Sequence, residues 1–494
     1  MNDRPEGSQF AYDRVAYPGH VGEYYSPNRL RASALLHGFR SADPATASVL
    51  EIGCGEGLNL SGYGAVSPNT RLAGFDLSSE AIDRGRALVE AAGLKNVDLH
   101  VGNALTYPRD GEKFDYIVCH GVLSWVPAPV RDAIVELMGA RLAPGGVGYF
   151  GYDCLPGASA KAAIVPFLRE WVGDIADPVE AMKKAAGGIA LLKRSQLEGS
   201  RLHSQLDILI ENFHTYNPAY FFHDWLAEYY APIDLRQFIP LAQANNLQIA
   251  GATAGYDLLY ENLDEEAIAL LESYGADAGR RLAALDVLYG GHIFHRDMMI
   301  RIDAPPEAAP DGVTELSFAF TGTREELTAE EEGGPAIKYS AGDNANVTTD
   351  TATSIAVLDC LHHAGGAELS YDELLSRTGV LDEHLNAILR TVCALGLVTP
   401  HSTPQPFVLK PGERPRAGIL ARTMLARGDQ GVNLRTNGVH FPDRETQCLI
   451  VFSDGTRTRP EIAAAMAESL KKEIVLGDVE KTIDHLAGLR VFEA

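Results

Sequence analysis

V-L-E-I-G-C-G-E-G-L-N-L, residues 49–60, decides how the rest of the chain is read. An apolar strand runs straight into three glycines and then into a helix. Gly53, Gly55 and Gly57 allow a tight turn and leave no Cβ in the way of a ligand. Such a turn commonly holds a pyrophosphate at a helix N-terminus, with the spacing G-x-G-x-x-G. Here the spacing is G-x-G-x-G, and the acidic Glu51 lies inside the strand. That acid repels a pyrophosphate and suits the cationic end of an amino acid.

Outward from this stretch, short apolar runs alternate with helical patterns. Strands are expected at 48–52, 71–75, 97–101, 114–119 and 147–152, with helices over 79–92 and 129–142. The alternation argues for a mostly parallel sheet with helices on both faces. Residues 157–245 turn helical, and 247–252 with 298–302 read as the last two strands, separated by helices around 264–289. The helical stretch is then an insertion. The expected division is a lid segment at 1–45, a core at 46–156, a helical insertion at 157–230, completion of the sheet at 231–303, and a C-terminal region at 313–494. Asp303 to Gly312 (D-A-P-P-E-A-A-P-D-G) reads as a linker, and the acidic 323–334 as a solvated turn. Beyond 350 a weak repeat of about 94 residues relates Gly396-Leu397-Val398 to Arg490-Val491-Phe492. It suggests two winged-helix-like modules; the C-terminal part is not obviously basic, which favours scaffolding or partner binding over DNA.

Three more features fall at strand ends, where open α/β sheets bind ligands. Asp76, followed by Leu77, can take both hydroxyls of a ribose, or cap the helix that follows in competition with Ser78. Asn103 and Ala104 close the third strand, and His120 the fourth. Together with the glycine loop, this order resembles the class I S-adenosylmethionine-dependent methyltransferases. The resemblance implies a Rossmann-like seven-stranded sheet and S-adenosylmethionine as cofactor. It implies a binding set of Glu51, Gly53, Cys54, Gly55, Asn59, Asp76, Leu77, Asn103, Ala104 and His120, with Tyr17 and Tyr25 from the N-terminal segment.

A narrower resemblance rests on C-H-G-V-L-S-W-V-P-A-P-V-R-D at 119–132, L-A-P-G-G-V-G-Y-F-G-Y-D at 142–153 and F-H-D-W-L-A-E-Y-Y-A-P-I-D-L-R-Q-F at 222–238. The N-terminal A-Y-P-G-H-V-G-E-Y-Y-S-P-N-R-L adds to it. These look like bacterial methyltransferases with a methyltransferase regulatory domain, among them rickettsial protein-lysine methyltransferases acting on outer-membrane proteins. The chain departs from that group at Asp153, Ala158 and Tyr230 and lacks an expected Arg directly beside Phe294, which bears on the acceptor more than on the cofactor.

If the acceptor is a lysine, its deprotonation at pH 7 costs about 4.6 kcal/mol, from a pKa near 10.4. A desolvated aromatic channel lowers that cost and steadies positive charge. Tyr152, Asp153 and Trp125 are the catalytic candidates; His120 is read as a cofactor contact, and His223 and Asp224 as structural. Two alternatives stay open: a small-molecule or glycan methyltransferase, and a non-catalytic regulator that binds the cofactor.

The chain has 494 residues, 42 Lys and Arg against 66 Asp and Glu, and a net charge of −24. That charge argues against nucleic acid and suits a cationic partner, here a protein substrate. No run reaches the ~20 apolar residues of a membrane span, and the N-terminus lacks an apolar signal region. None of the six cysteines makes a C-x-x-C pair, and Cys360 with His362 and His363 lacks the ligands for zinc. The expectation is a cytoplasmic protein without a metal, with a homodimer left open.

Overall fold

In a computed structural model, the described residues are 11–196, 206–207, 210, 213, 215–259, 263–327, 336–342 and 345–494. The central sheet comprises β1 (Ser48–Ile52), β2 (Arg71–Asp76), β3 (Val97–Val101), β4 (Phe114–His120), β5 (Leu142–Leu155), β6 (Leu247–Ala252) and β7 (Phe294–Arg301). Its order is β3-β2-β1-β4-β5-β7-β6. The first five pair in parallel, and β7 runs antiparallel to both β5 and β6. This is the Rossmann-like seven-stranded order that the sequence leads one to expect. The order reverses between β1 and β4, which opens a crevice at their carboxyl ends.

The inner strands are mostly apolar because both sheet faces are covered, and the polar residues of β1 and β4, Glu51 among them, lie near the strand ends. On one face Leu50, Ile117, Phe150 and Met299 pack with Leu137, Met138 and Phe238. On the other, Val49, Val118 and Met298 pack with Leu30, Ala34, Leu60 and Tyr63. The helices supplying these residues are α1 (Pro27–Leu36), α2 (Leu58–Val66) and α4 (Ala128–Arg141), with Leu235–Ala244 beyond, and α3 (Ser79–Ala91) adds Ile82. The insertion forms α5 (Ser159–Val172), α6 (Pro178–Ser195) and α7 (Pro218–Trp225), around a core that includes Ile164, Leu168, Ala185, Ile189 and Phe221.

Two sequence expectations fail here. The stretch expected to be a linker is built in: Glu307–Ala308 pairs with Phe39–Arg40, and Ala309 is buried with Val313 against Leu35 and Leu36 of α1. Its prolines and acids suggest a loop, but its few apolar side chains find a partner that is distant in sequence. The acidic 323–334 begins as a strand, Thr323–Leu327, paired with Ala336–Ala341; residues 328–334 lie outside the described ones.

The C-terminal region repeats one plan. Helices Ala352–His363, Tyr371–Thr378 and Asp382–Ala394 lead to strand Thr399–His401. Helices Arg444–Phe452, Arg459–Leu470 and Leu476–Gly488 lead to the extended Phe492, which bridges Ala417. Gly396 and Arg490 take the same left-handed conformation after their helices, with φ of 73° and 62°. The modules also grip the N-terminal segment. His401 Nδ1 lies 3.0 Å from Glu23 Oε1, and Asn437 Nδ2 donates to Glu23 Oε2 at 3.2 Å. Among the described residues no helix is long and apolar enough to cross a membrane.

Candidate active site

The glycine loop closes as its sequence requires. Gly53, Gly55 and Gly57 all have positive φ, at 72°, 54° and 65°. A Cβ on Gly53 would lie 2.6 Å from Val122, and one on Gly57 2.6 Å from Leu99. A Cβ on Gly55 would meet nothing within 4 Å. Gly55 therefore faces open space at the crevice, while its neighbours are tied into the fold. Cys54 is buried behind the loop, where burial raises its thiol pKa.

Asp76 ends β2 beside this loop. Its Oδ2 accepts from Gly55 N at 2.9 Å and its Oδ1 from Ser78 N at 2.9 Å. Ser78, not Asp76, caps α3 through Ala81 N. Burial raises the Asp76 pKa, against the hydrogen bonds from Ser78 and Gly55. Leu77 beside it is 45% exposed. Asn103 Oδ1 accepts from Leu105 N at 3.0 Å, which leaves its Nδ2 as a donor at the mouth of β3, and Ala104 packs beneath.

Glu51 is the unusual member. It is buried in β1, and burial, with some help from Asp76, pushes its carboxyl up to about 8 against a hydrogen bond from Asn59. Glu51 Oε2 and Asn59 Oδ1 are both buried without a hydrogen-bond partner among the described residues. Two orphaned acceptors beside an open glycine fit a ligand with a cationic donor group.

His120 ends β4 among aromatics. Tyr25 stacks on it at 4.6 Å, Tyr149 Oη lies 3.0 Å from Nδ1, and Tyr24 Oη 3.4 Å from Nε2. Burial first, then His20 and Arg296, lowers its pKa well below normal. His120 is thus a neutral imidazole. Tyr17 lies farther along the N-terminal segment, 5.9 Å from Tyr220 and 5.7 Å from His223 on α7.

The catalytic candidates separate. Tyr152 is fully buried in the core; its hydroxyl donates to Asp297 and its ring packs on Phe238. It lines no channel, because alternation along β5 turns it inward. Asp153, on the opposite side of the strand, reaches the insertion: Tyr230 Oη donates to its Oδ2 at 2.6 Å, and Lys161 Nζ lies 2.9 Å from the same oxygen. Trp125 stands beside them, its ring 5.1 Å from Lys161 Nζ.

Sequence reasoning missed four residues here. Asp224, read as structural, holds Lys161 Nζ at 2.9 Å through both oxygens. Lys161, Trp225 and Arg296 were not singled out; Arg296 lies over the Tyr24 ring at 4.0 Å. One signal was available: the chain has three tryptophans, and two of them meet at Lys161. Below β5, Cys154, Asp286 and His295 bring donor atoms within 4.8 Å of one another. There His295 Nε2 lies 3.2 Å from Asp286 Oδ1, an ion pair within the cluster.

With this geometry in view, residues 49–146 match the family described as Methyltransferase domain. The Rickettsia prowazekii protein RP028 is 33% identical over 244 residues, 48% of this chain and 95% of that protein. The chain belongs to the class I S-adenosylmethionine-dependent methyltransferases. A second R. prowazekii protein, RP789, is 30% identical over 243 residues, 48% of this chain and 43% of its own length. The structure of PKMT2 from Rickettsia typhi in complex with AdoHcy superposes with a TM-score of 0.80 at 21% identity, covering 96% of this chain and 99% of that one. That likeness extends the shared fold from the methyltransferase sheet through the C-terminal modules. S-adenosylmethionine is the cofactor of this methyltransferase, and the crevice at Gly55, Glu51 and Asp76 has the openness and the unpaired acceptors to take it.

Proposed function

We propose that this methyltransferase modifies lysine side chains of a protein substrate. The carrying observation is the wall beside the cofactor crevice, where tyrosines alternate with acids. Tyr17, Tyr220 and Tyr230 face Asp153 and Asp224, and burial followed by these carboxylates raises the pKa of the Tyr220 and Tyr230 phenols. Tyr12 closes the gap: burial raises its phenol pKa, and both Asp76 and Asp224 act on it. Asp76 of the crevice and the acidic wall are therefore neighbours. Aromatic faces and carboxylates together select a cation.

Glu51, Gly53, Gly55, Asn59, Asp76, Leu77, Asn103, Ala104 and His120 would hold the cofactor. When bound, S-adenosylmethionine supplies an activated methyl group and little else is needed chemically. The protein positions the amine and removes water. Neutral His120 places no like charge beside the sulfonium. Asp153, which already holds Tyr230 and Lys161, orients the incoming ammonium. The net charge of −24 favours a lysine-rich partner.

The test uses radiolabelled S-adenosylmethionine and a lysate of the source organism, with and without the purified enzyme. Label on lysines of a few proteins is expected. Label confined to small molecules overturns the reading and favours a small-molecule acceptor.

A further inference from the structure

Lys161 lies in the first turn of α5, where the helix dipole disfavours a cation. Its ammonium is nevertheless enclosed. Nζ sits 5.1 Å from the Trp125 ring, 5.1 Å from Trp225 and 4.9 Å from Tyr230. It lies 2.9 Å from Asp153 and 2.9 Å from Asp224. Three aromatic faces and two carboxylates surround one primary ammonium.

A structural ion pair does not need this much. One lysine between two acids leaves an excess negative charge, and a buried pair gains little over apolar packing. Three aromatic faces add cation–π attraction, and the compact space between them and the two carboxylates holds one ammonium. Trp225, buried, presents the face of its indole to the ammonium. The cage is also not sealed: the Lys161 and Asp224 side chains remain 11% and 12% exposed.

The cage adjoins the reaction centre. Val122 packs on Gly53 of the glycine loop. Two residues on, Ser124 Oγ donates to the Asp153 carbonyl at 3.1 Å, and Trp125 follows. The loop from His120 to Trp125 thus runs from cofactor crevice to cage.

We propose that Trp125, Trp225, Tyr230, Asp153 and Asp224 form an ammonium-binding cage that Lys161 fills as an internal stand-in for the acceptor lysine. The acceptor takes the cage when Lys161 swings out with the first turn of α5. The inference rests on the lysine reading of the acceptor for its biological meaning, but the cage itself is tested without methyl transfer. Occupation by Lys161 lowers the apparent affinity for any outside ammonium by the fraction of time the cage is filled.

The probe is ethylammonium chloride, with sodium chloride at equal ionic strength as control. The full-length Lys161→Met variant keeps an apolar stem and empties the charge site. Ethylammonium is expected to bind it saturably, seen as a rise in Tm, and about tenfold more tightly than the wild type. Equal responses to ethylammonium and sodium in both proteins overturn the cage. If Lys161→Met does not fold, the wild type answers through amine acetylation read by mass spectrometry. Tetramethylammonium, which cannot be acetylated, then speeds acetylation of Lys161 saturably and sodium does not; an unchanged rate overturns the proposal. Labelled lysines in the lysate without ethylammonium binding remove the cage and leave the lysine reading intact. Ethylammonium binding with label only on small molecules does the reverse.

Discussion

At the scale of single residues, Gly55 separates binding from folding. A side chain there must accept a φ of 54°, which costs about 1 kcal/mol for a non-glycine residue. Its Cβ meets no protein atom within 4 Å, so it occupies only ligand space. Gly55→Ala is expected to remain folded and to lose S-adenosylmethionine binding by about tenfold or more, measured by calorimetry. Full binding by the variant would place the cofactor elsewhere. Glu51 gives a second test. Its carboxyl sits near 8 because it is buried, so at pH 7 it is mostly protonated in the free enzyme. The cationic end of the cofactor favours the carboxylate, so binding releases a proton, and affinity rises with pH up to about 8. Calorimetry at pH 7 in buffers of different ionisation enthalpy is expected to show this release in the wild type and none in Glu51→Gln. Equal proton counts would remove Glu51 from the site. These residues were legible because glycine and acid at fixed offsets have few uses. Lys161 was not legible: one lysine in an amphipathic helix carries no pattern, and its partners come from β5, α7 and the loop after β4.

At the scale of elements, the repeat in the C-terminal region extends to its caps. Ser370 and Glu373 form a capping box at the start of one middle helix, and Thr458 and Glu461 at the start of the other. Thr458→Ala is expected to cost about 1 kcal/mol in urea unfolding, and Ser370→Ala a similar amount. An unchanged midpoint for either would mean that water satisfies the helix N-terminus equally well. The fold was readable where periodicity and burial agree. β4 is apolar because both its faces are covered, and the glycine loop fixes the register of β1 against the crevice. Reading failed where an element depends on a distant partner. Glu307–Ala308 is a strand only because Phe39–Arg40 lies beside it, and Tyr152 points into the core because Asp297 on β7 receives its hydroxyl. Tyr152 and Asp153 are adjacent in sequence and opposite in fate, a distinction that composition cannot make and strand alternation can.

At the scale of the molecule, the C-terminal modules reach the cofactor crevice through the N-terminal segment. Glu23 is the junction: two residues farther on, Tyr25 stacks on His120. Glu23 is buried, which by itself raises its pKa, but His401, Arg435 and Arg490 from the modules pull the carboxyl down to about 2. The shift sets the sign of a pH effect. A carboxyl lowered from 4.5 to about 2 on folding contributes stability above pH 4.5, and that contribution is lost as pH falls toward 2. Glu23→Gln removes the charge at all pH values. The variant is expected to be weaker than the wild type at pH 7 by about 3 kcal/mol, because His401 loses its carboxylate hydrogen-bond partner and Arg435 and Arg490 lose a nearby negative charge. The gap should close as the pH falls from 4.5 toward 2, because the wild type then protonates the same group. Urea unfolding at pH 7, 4 and 3 measures this, and parallel curves would show that the Glu23 pKa does not change on folding. The same variant loosens the segment that holds Tyr24 and Tyr25 on His120. Cofactor affinity should therefore fall although Glu23 is no part of the cofactor crevice, which gives the modules a task in organising the site. Unchanged affinity in a destabilised variant would confine the junction to folding.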